Sequence, residues 1–136
     1  MRDHSVKILI ADDDPEDIEL LEEFLLKEAP GLHLSKFMDG LTASEYLRML
    51  PDDELPSLIV LDYNMPGLTG AQVLLSLRSA GRYTSIPKVV LSTSNTPRYI
   101  QESLQNGASE YIVKPQNMTE IHNLAKKFVS LAAGSR

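Results

Sequence analysis

The sequence predicts an α/β fold built on a parallel sheet, and two observations carry that prediction. Short apolar runs alternate with helix-length amphipathic segments along the chain, the pattern of parallel strands joined by right-handed crossovers. The run Leu58 to Leu61 (LIVL) is unbroken by any polar residue, as in a strand buried on both faces by covering helices. That run delivers one carboxylate, Asp62, to a Pro/Gly-rich loop reading YNMPGLTG. In open α/β sheets the carboxyl edge of the strands is where ligands bind, so Asp62 stands where chemistry is expected. Taken alone, it could equally be a turn former.

The elements follow in order. Val6 to Ala11 (VKILIA) is a first strand, followed by Asp12, Asp13, Asp14 and Pro15. Asp14 is the expected N-cap, Pro15 suits the first helical position, and Glu16 and Asp17 complement the positive end of the helix dipole. Leu20, Leu21, Phe24 and Leu25 recur at helical spacing until Ala29-Pro30-Gly31 stops the helix. His33 to Met38 alternates loosely as a second strand. Ala43, Tyr46, Leu47 and Leu50 mark a second helix that ends at Pro51, and PDDELP is an acidic loop.

After the central strand, Thr69 and Gln72 have the spacing of a capping box, and Val73, Leu74 and Leu77 give a third helix its apolar face up to Gly81. Lys88 to Leu91 is a fourth strand, running into the hydroxyl cluster Ser92, Thr93, Ser94. Thr96 and Pro97 open a fourth helix with Ile100 and Leu104 on one face, and Asn106-Gly107 turns its end. Ser109 to Val113 is a fifth strand, closed by Lys114-Pro115. Asn117 and Glu120 then cap a fifth helix whose face is Ile121, Leu124, Ala125, Phe128 and Leu131, before a small tail from Ala133 to Arg136.

Composition narrows the function. A chain of 136 residues suits one domain with a real core and leaves no room for a separate output domain. No apolar stretch is long enough to span a membrane, and MRDHSVK lacks the apolar region of a signal peptide. The absence of cysteine excludes disulfides, thiolate metal sites and cysteine nucleophiles, and fits a reducing cytoplasm. A formal charge of −6 and a pI near 5.0 disfavour nucleic acid and anionic membranes, which need clustered Lys and Arg.

Placing every strand's carboxyl end on one edge gathers Asp12, Asp13, Asp62, Ser92 and Lys114. Two like charges about 4 Å apart repel by roughly 4 kcal/mol at an effective dielectric of about 20. Three converging carboxylates with one lysine therefore call for a further cation, and oxygen-only ligands select a hard ion such as Mg2+. A carboxylate beside such an ion, with a lysine and a hydroxyl near, is equipped to take up a phosphoryl group. Each residue has a structural explanation by itself: a capping cluster, polar strand ends, a solvated lysine. Independent structural causes need not put all of them at one edge of the sheet.

The motifs ILIADDD, LIVLDYNMPGLTG, VVLSTS and GASEYIVKP, with 30 residues from Asp62 to Ser92 and 22 from Ser92 to Lys114, closely resemble the receiver domain of two-component response regulators. The resemblance runs from about residue 5 to about residue 130. It implies a flavodoxin-like, doubly wound sheet of five parallel strands in order 2-1-3-4-5 with five helices. It also implies that Asp62 is the phosphoacceptor, taking its phosphoryl group from the phosphohistidine of a sensor histidine kinase or phosphotransfer protein. Asp13, Asp62 and the backbone carbonyl of Asn64 would hold Mg2+, with Asp12 acting through water. Lys114 would pair with a phosphoryl oxygen, and Pro115 matches a proline that often follows a cis bond.

By the same resemblance Ser92 is the switch hydroxyl, Tyr111 the aromatic that turns inward with it, and Asn64 and Ser94 tune phosphoryl lifetime. Ser92 departs modestly from the family's more frequent threonine, and the PDDELP segment is longer than usual, which makes it a candidate partner contact. The run PEDIELLEEFL is similar to stand-alone receivers that serve phytochrome-type kinases.

Two other classes fit the pattern less well. A phosphatase of the haloacid-dehalogenase type has a second aspartate two positions after the first, where this chain has Asn64. A flavodoxin must cradle phosphate in its first loop, where Asp12 to Asp14 would repel it. A phosphate-independent, receiver-like binding module remains the alternative, although binding alone requires none of Asp13, Asp62, Ser92 or Lys114. The expectation is a cytoplasmic, non-enzymatic phosphoacceptor limited to its own phosphorylation and dephosphorylation. Its output is a protein contact on the fourth-helix, fifth-strand, fifth-helix face, with Tyr99 an exposed contact there. Homodimerisation through the fourth helix is compatible with this reading.

Overall fold

The computed structural model describes residues 6–134; the N-terminal residues 1–5 and the last two residues of the tail lie outside this range. Five parallel strands form one sheet in the order β2-β1-β3-β4-β5. They are β1 Lys7–Ala11, β2 His33–Phe37, β3 Leu58–Leu61, β4 Lys88–Ser92 and β5 Glu110–Val113. The helices between and after them are α1 Pro15–Glu28, α2 Gly40–Met49, α3 Gly70–Arg78, α4 Pro97–Gln105 and α5 Met118–Ala133. The last helix extends one residue into the stretch expected to be tail.

Burial explains the layering. All four residues of β3 are buried, and alternate side chains leave a strand on opposite faces. Ile8, Ile10, Leu58, Val60, Val89 and Leu91 pack with Ile18, Leu21 and Leu25 of α1 and Leu124 and Phe128 of α5. Leu9, Ala11, Ile59, Leu61 and Val90 pack on the other face with Leu47 of α2 and Val73, Leu74 and Leu77 of α3. Each fully buried Leu, Ile or Phe contributes about 1.5–3 kcal/mol, which fixes the strand register: a one-residue slip would exchange the two faces.

The caps sit where the sequence puts them. Asp14 Oδ1 accepts from the Glu16 and Asp17 N–H groups at 3.0 and 3.4 Å. Thr69 and Gln72 form the reciprocal capping box at 3.1 and 2.9 Å. Asn117 Oδ1 accepts from the Glu120 N–H at 2.9 Å. Sequence periodicity overlooked Asp39, which caps α2 by accepting from the Thr42 N–H at 2.7 Å. The PDDELP segment contains a 3₁₀ turn, Asp52–Glu54. Arg82 ties it down, pairing with Asp52 at 3.2 Å and donating to the Leu50 and Leu47 carbonyls.

Helix α4 departs from expectation. Its buried residue is Ser103, with Tyr99 packed on the α2–α3 core, while Leu104 is 46% exposed. The inward face is thus turned by one residue, about 100°, from the predicted Ile100/Leu104 face. Aromatic stacking sets this orientation. Tyr99 lies on Tyr63 with centroids 4.0 Å apart and planes 11° apart, so it is partly buried rather than an exposed contact.

Candidate functional site

The two central strands each carry one acid past their ends. The Asp12 N–H donates to Phe37 O at 3.0 Å and the Asp62 N–H to Ala11 O at 2.9 Å, continuing the ladders of β1 and β3. Because β1 lies between β2 and β3, their carboxyl ends flank the point where the chain reverses its winding, the crevice of a doubly wound sheet. Asp12 and Asp62 are buried and Asp13 is exposed, yet an oxygen of each lies within 4.8 Å of the other two.

Local hydrogen bonds aim these groups. Asp12 Oδ1 accepts from the Asp14 N–H at 2.9 Å, and Asp62 Oδ1 accepts from the Asn64 N–H at 3.3 Å. Gly70 is required beneath them: its N–H donates to Tyr63 O at 2.9 Å, and a Cβ there would collide with the Asp62 carbonyl. The chain turns between them through Gly67, whose φ of +81° is open to glycine at no steric cost.

Lys114 follows β5, its N–H donating to Ser92 O at 2.8 Å. Its Nζ reaches back to Asp12 Oδ2 at 2.7 Å, Asp17 Oδ2 at 2.8 Å and Asp62 Oδ2 at 3.2 Å. Burial opposes the charge on Lys114, but hydrogen bonds to Asp12 and Asp17 and the charges of Asp12 and Asp62 outweigh it and hold the ammonium well above its ordinary range. Asp12 is also raised, which for a carboxylate favours the neutral form. Burial foremost, with the neighbouring Asp62 charge, pushes it up to about 6 against its bonds to Lys114 and the Asp14 N–H. One lysine among three carboxylates leaves the site short of positive charge.

The hydroxyl edge is built separately. Ser92 is fully buried, and its Oγ accepts from the Ser94 N–H at 3.3 Å. Among the described residues it makes no hydrogen bond to Asp12, Asp13 or Asp62. The Tyr111 hydroxyl donates to Ser94 O at 2.7 Å, and its ring is partly buried against the α2–α3 core. Ser94 Oγ in turn accepts from the Thr96 N–H at 3.1 Å. All peptide bonds of the described residues are trans, so Pro115 follows a trans bond and not the cis bond the family resemblance implied.

The sequence marks Asp17 only as a helix-dipole residue. Its position in the first turn of α1, after an N-cap anchored beside Asp12, carries it back over the sheet edge to Lys114. It lies three positions after Asp14, about one helical turn, and that spacing is the available signal.

Residues 8–126 match the response regulator receiver domain family. The chain belongs to that family. Among its relatives, the two-component response regulator ARR8 of Arabidopsis thaliana is 30% identical over 132 residues, covering 86% of this chain and 58% of that protein. ORR2 of Oryza sativa is 28% identical over 150 residues, covering 90% and 60%. The receiver thus spans about three-fifths of the length of these plant relatives. Among solved structures, the phosphorylated cyanobacterial phytochrome response regulator RcpA superposes with a TM-score of 0.86 at 30% identity, covering 97% of this chain and 96% of that one. The Mn(2+)-bound response regulator Rcp1 gives a TM-score of 0.78 at 29% identity, covering 92% of each chain. The receiver fold in strand order 2-1-3-4-5, the acidic pocket of Asp12, Asp13 and Asp62, and membership of a signalling family therefore stand together.

Proposed function

We propose that this receiver accepts a phosphoryl group on Asp62 from the phosphohistidine of a histidine kinase or phosphotransfer protein. The observation that carries this reading is the meeting of Asp12, Asp13 and Asp62 within 4.8 Å, with Lys114 bonded to Asp62 at 3.2 Å. A carboxylate oxygen of Asp62 forms the new O–P bond as the donor's P–N bond breaks and the electron pair leaves on the imidazole nitrogen. Lys114 holds a phosphoryl oxygen. The all-oxygen donor set and its uncompensated charge fit a hard divalent cation. Asp13, Asp62 and the Asn64 carbonyl would hold Mg2+, with Asp12 acting through water; when bound, it neutralises phosphoryl charge.

The switch follows from the hydrogen bonds of the 92–96 loop. Phosphate on Asp62 offers the Ser92 hydroxyl a new acceptor, and Ser92 and Tyr111 are both bonded to Ser94. Drawing Ser92 toward Asp62 moves the Ser94 carbonyl that Tyr111 holds, and so alters the α4–β5–α5 face presented to a protein target or a second copy. Asn64 and Ser94, beside these groups, tune phosphoryl lifetime. The net charge of −6 supports a protein partner over nucleic acid. Among the described residues no helix is long and apolar enough to cross a membrane; we place the protein in the cytoplasm, acting as a signalling phosphoacceptor and not as an enzyme on other substrates.

Intact-mass spectrometry after incubation with acetyl phosphate and Mg2+ tests this reading. A single phosphoryl adduct is expected, absent in Asp62→Asn and in a chelated control. Failure of the folded, Mg2+-loaded protein to gain an adduct from acetyl phosphate or from a phosphorylated phosphotransfer protein would leave a phosphate-independent binding module.

A further inference from the structure

We infer that Asp17 is a positioning residue that holds Lys114 in the unphosphorylated receiver and surrenders it when a phosphoryl group arrives on Asp62. This rests on the function proposed above and deepens it. Lys114 Nζ donates to Asp17 Oδ2 at 2.8 Å and Asp62 Oδ2 at 3.2 Å and is ion-paired with Asp12 Oδ2 at 2.7 Å, so three carboxylates hold one ammonium in place. A phosphoryl group on Asp62 places its oxygens beyond the Asp62 carboxylate, so Lys114 must leave its present position to reach one, and its other carboxylate partners resist that movement.

The surroundings decide which acceptor yields. The Asp12 side chain is 5% exposed, and losing Lys114 would strand a buried carboxylate, which is strongly unfavourable. Asp62 is the group being phosphorylated; its bond passes to a phosphoryl oxygen further out, and following that oxygen draws the ammonium away from Asp12 or from Asp17. Asp17 is 42% exposed and lies in the first turn of α1, where water and the positive end of the helix stabilise a free carboxylate. Release of Asp17 therefore costs least. It also lies outside the Asp12–Asp13–Asp62 cluster, so its departure leaves the proposed cation site intact.

The consequence is a brake. Asp17 anchors the ammonium that the incoming group must draw toward itself, and its negative charge repels an anionic phosphodonor. Neutralising it in Asp17→Asn should raise the rate of phosphorylation at limiting acetyl phosphate by about three- to tenfold. Asp17→Glu, which restores the charge and an acceptor, should return the rate toward wild type. Glu16→Gln removes an equal charge from the same helical turn without touching Lys114 and should leave the rate unchanged.

Rates are read by intact mass in Mg2+ across an acetyl phosphate series for wild type and the three variants. Faster Asp17→Asn, restored Asp17→Glu and unchanged Glu16→Gln are the expected set. A rate for Asp17→Asn equal to or below wild type, or Glu16→Gln accelerating as much, would overturn the inference while leaving the phosphoacceptor reading in place. Absence of any adduct on wild type would overturn both, before a variant is compared. A readout free of turnover accompanies it: on adding beryllofluoride and Mg2+, the 13C carboxylate resonance of Asp17 should move to the position of a solvated carboxylate, and an unmoved Asp17 resonance rejects the release.

Discussion

The Tyr63 hydroxyl donates to Glu102 Oε1 at 2.6 Å, joining the residue immediately after Asp62 to the middle of α4. Burial, reinforced by the Glu102 hydrogen bond and charge, pushes the Tyr63 hydroxyl up to about 12, so it stays a donor at physiological pH. With Tyr99 stacked on the same ring, the helix is held on the core by two aromatic side chains and one charged acceptor. Tyr63→Phe should cost about 1.5–3 kcal/mol, the range for a hydrogen bond to a charged group. Urea denaturation measures this. The chain has five tyrosines and no tryptophan, so near-ultraviolet circular dichroism is a tyrosine signal to which the stacked pair contributes, and it should weaken in Tyr99→Ala.

Gly70 fails to tolerate a methyl group for a backbone reason. A Cβ would press on the Asp62 carbonyl oxygen, whereas one at Gly81 meets nothing within 4 Å. Gly70→Ala should cost about 1–3 kcal/mol by overpacking and should slow phosphorylation by displacing the end of β3. Gly81→Ala should be neutral in both urea midpoint and phosphorylation rate. Equal behaviour of the two variants would remove Gly70 from the site's scaffold.

Ser103 is the buried residue of α4, and its Oγ has no hydrogen-bond partner among the described residues. An unpaired buried hydroxyl costs about 1–3 kcal/mol, and removing it leaves little space behind. Ser103→Ala should therefore hold or raise stability, by up to about 1 kcal/mol, in urea denaturation. A loss above that size would show that the hydroxyl is satisfied in solution.

The parts of the fold legible in the sequence are those fixed by local chemistry. Leu58 to Leu61 is apolar at every position because both sheet faces are covered, and Asp14, Thr69 and Asn117 cap helices through bonds spanning two or three residues. The convergence of Asp12, Asp62 and Lys114 was legible because parallel strands put all carboxyl ends on one edge. The face of α4 was not, since a nine-residue helix has too few turns to define a stripe, and its orientation depends on Tyr63, far away in sequence. Asp17 was hidden for a related reason: as an acid in a first turn it satisfies the helix dipole, and only the tertiary path of Lys114 reveals its second partner.

Asp12 contributes a pH dependence to the metal-free fold. Its folded value of about 6 lies above the ordinary 3.8, so between those values the native state binds more protons than the unfolded chain. The stabilising contribution of this group is present below about 4 and is lost as pH rises through about 6. Lys114 does not cancel that slope, because its own shift lies far above neutrality and leaves it charged throughout this window. Asp12→Asn removes the titrating group while Asp17 and Asp62 still pair with Lys114. In the presence of chelator, the variant should be more stable than wild type by about 1 kcal/mol at pH 7.5. That advantage should vanish or reverse by about pH 4. Urea midpoints for both proteins across this range read the difference directly; a difference independent of pH would show that Asp12 is ionised throughout and that Lys114 compensates its burial.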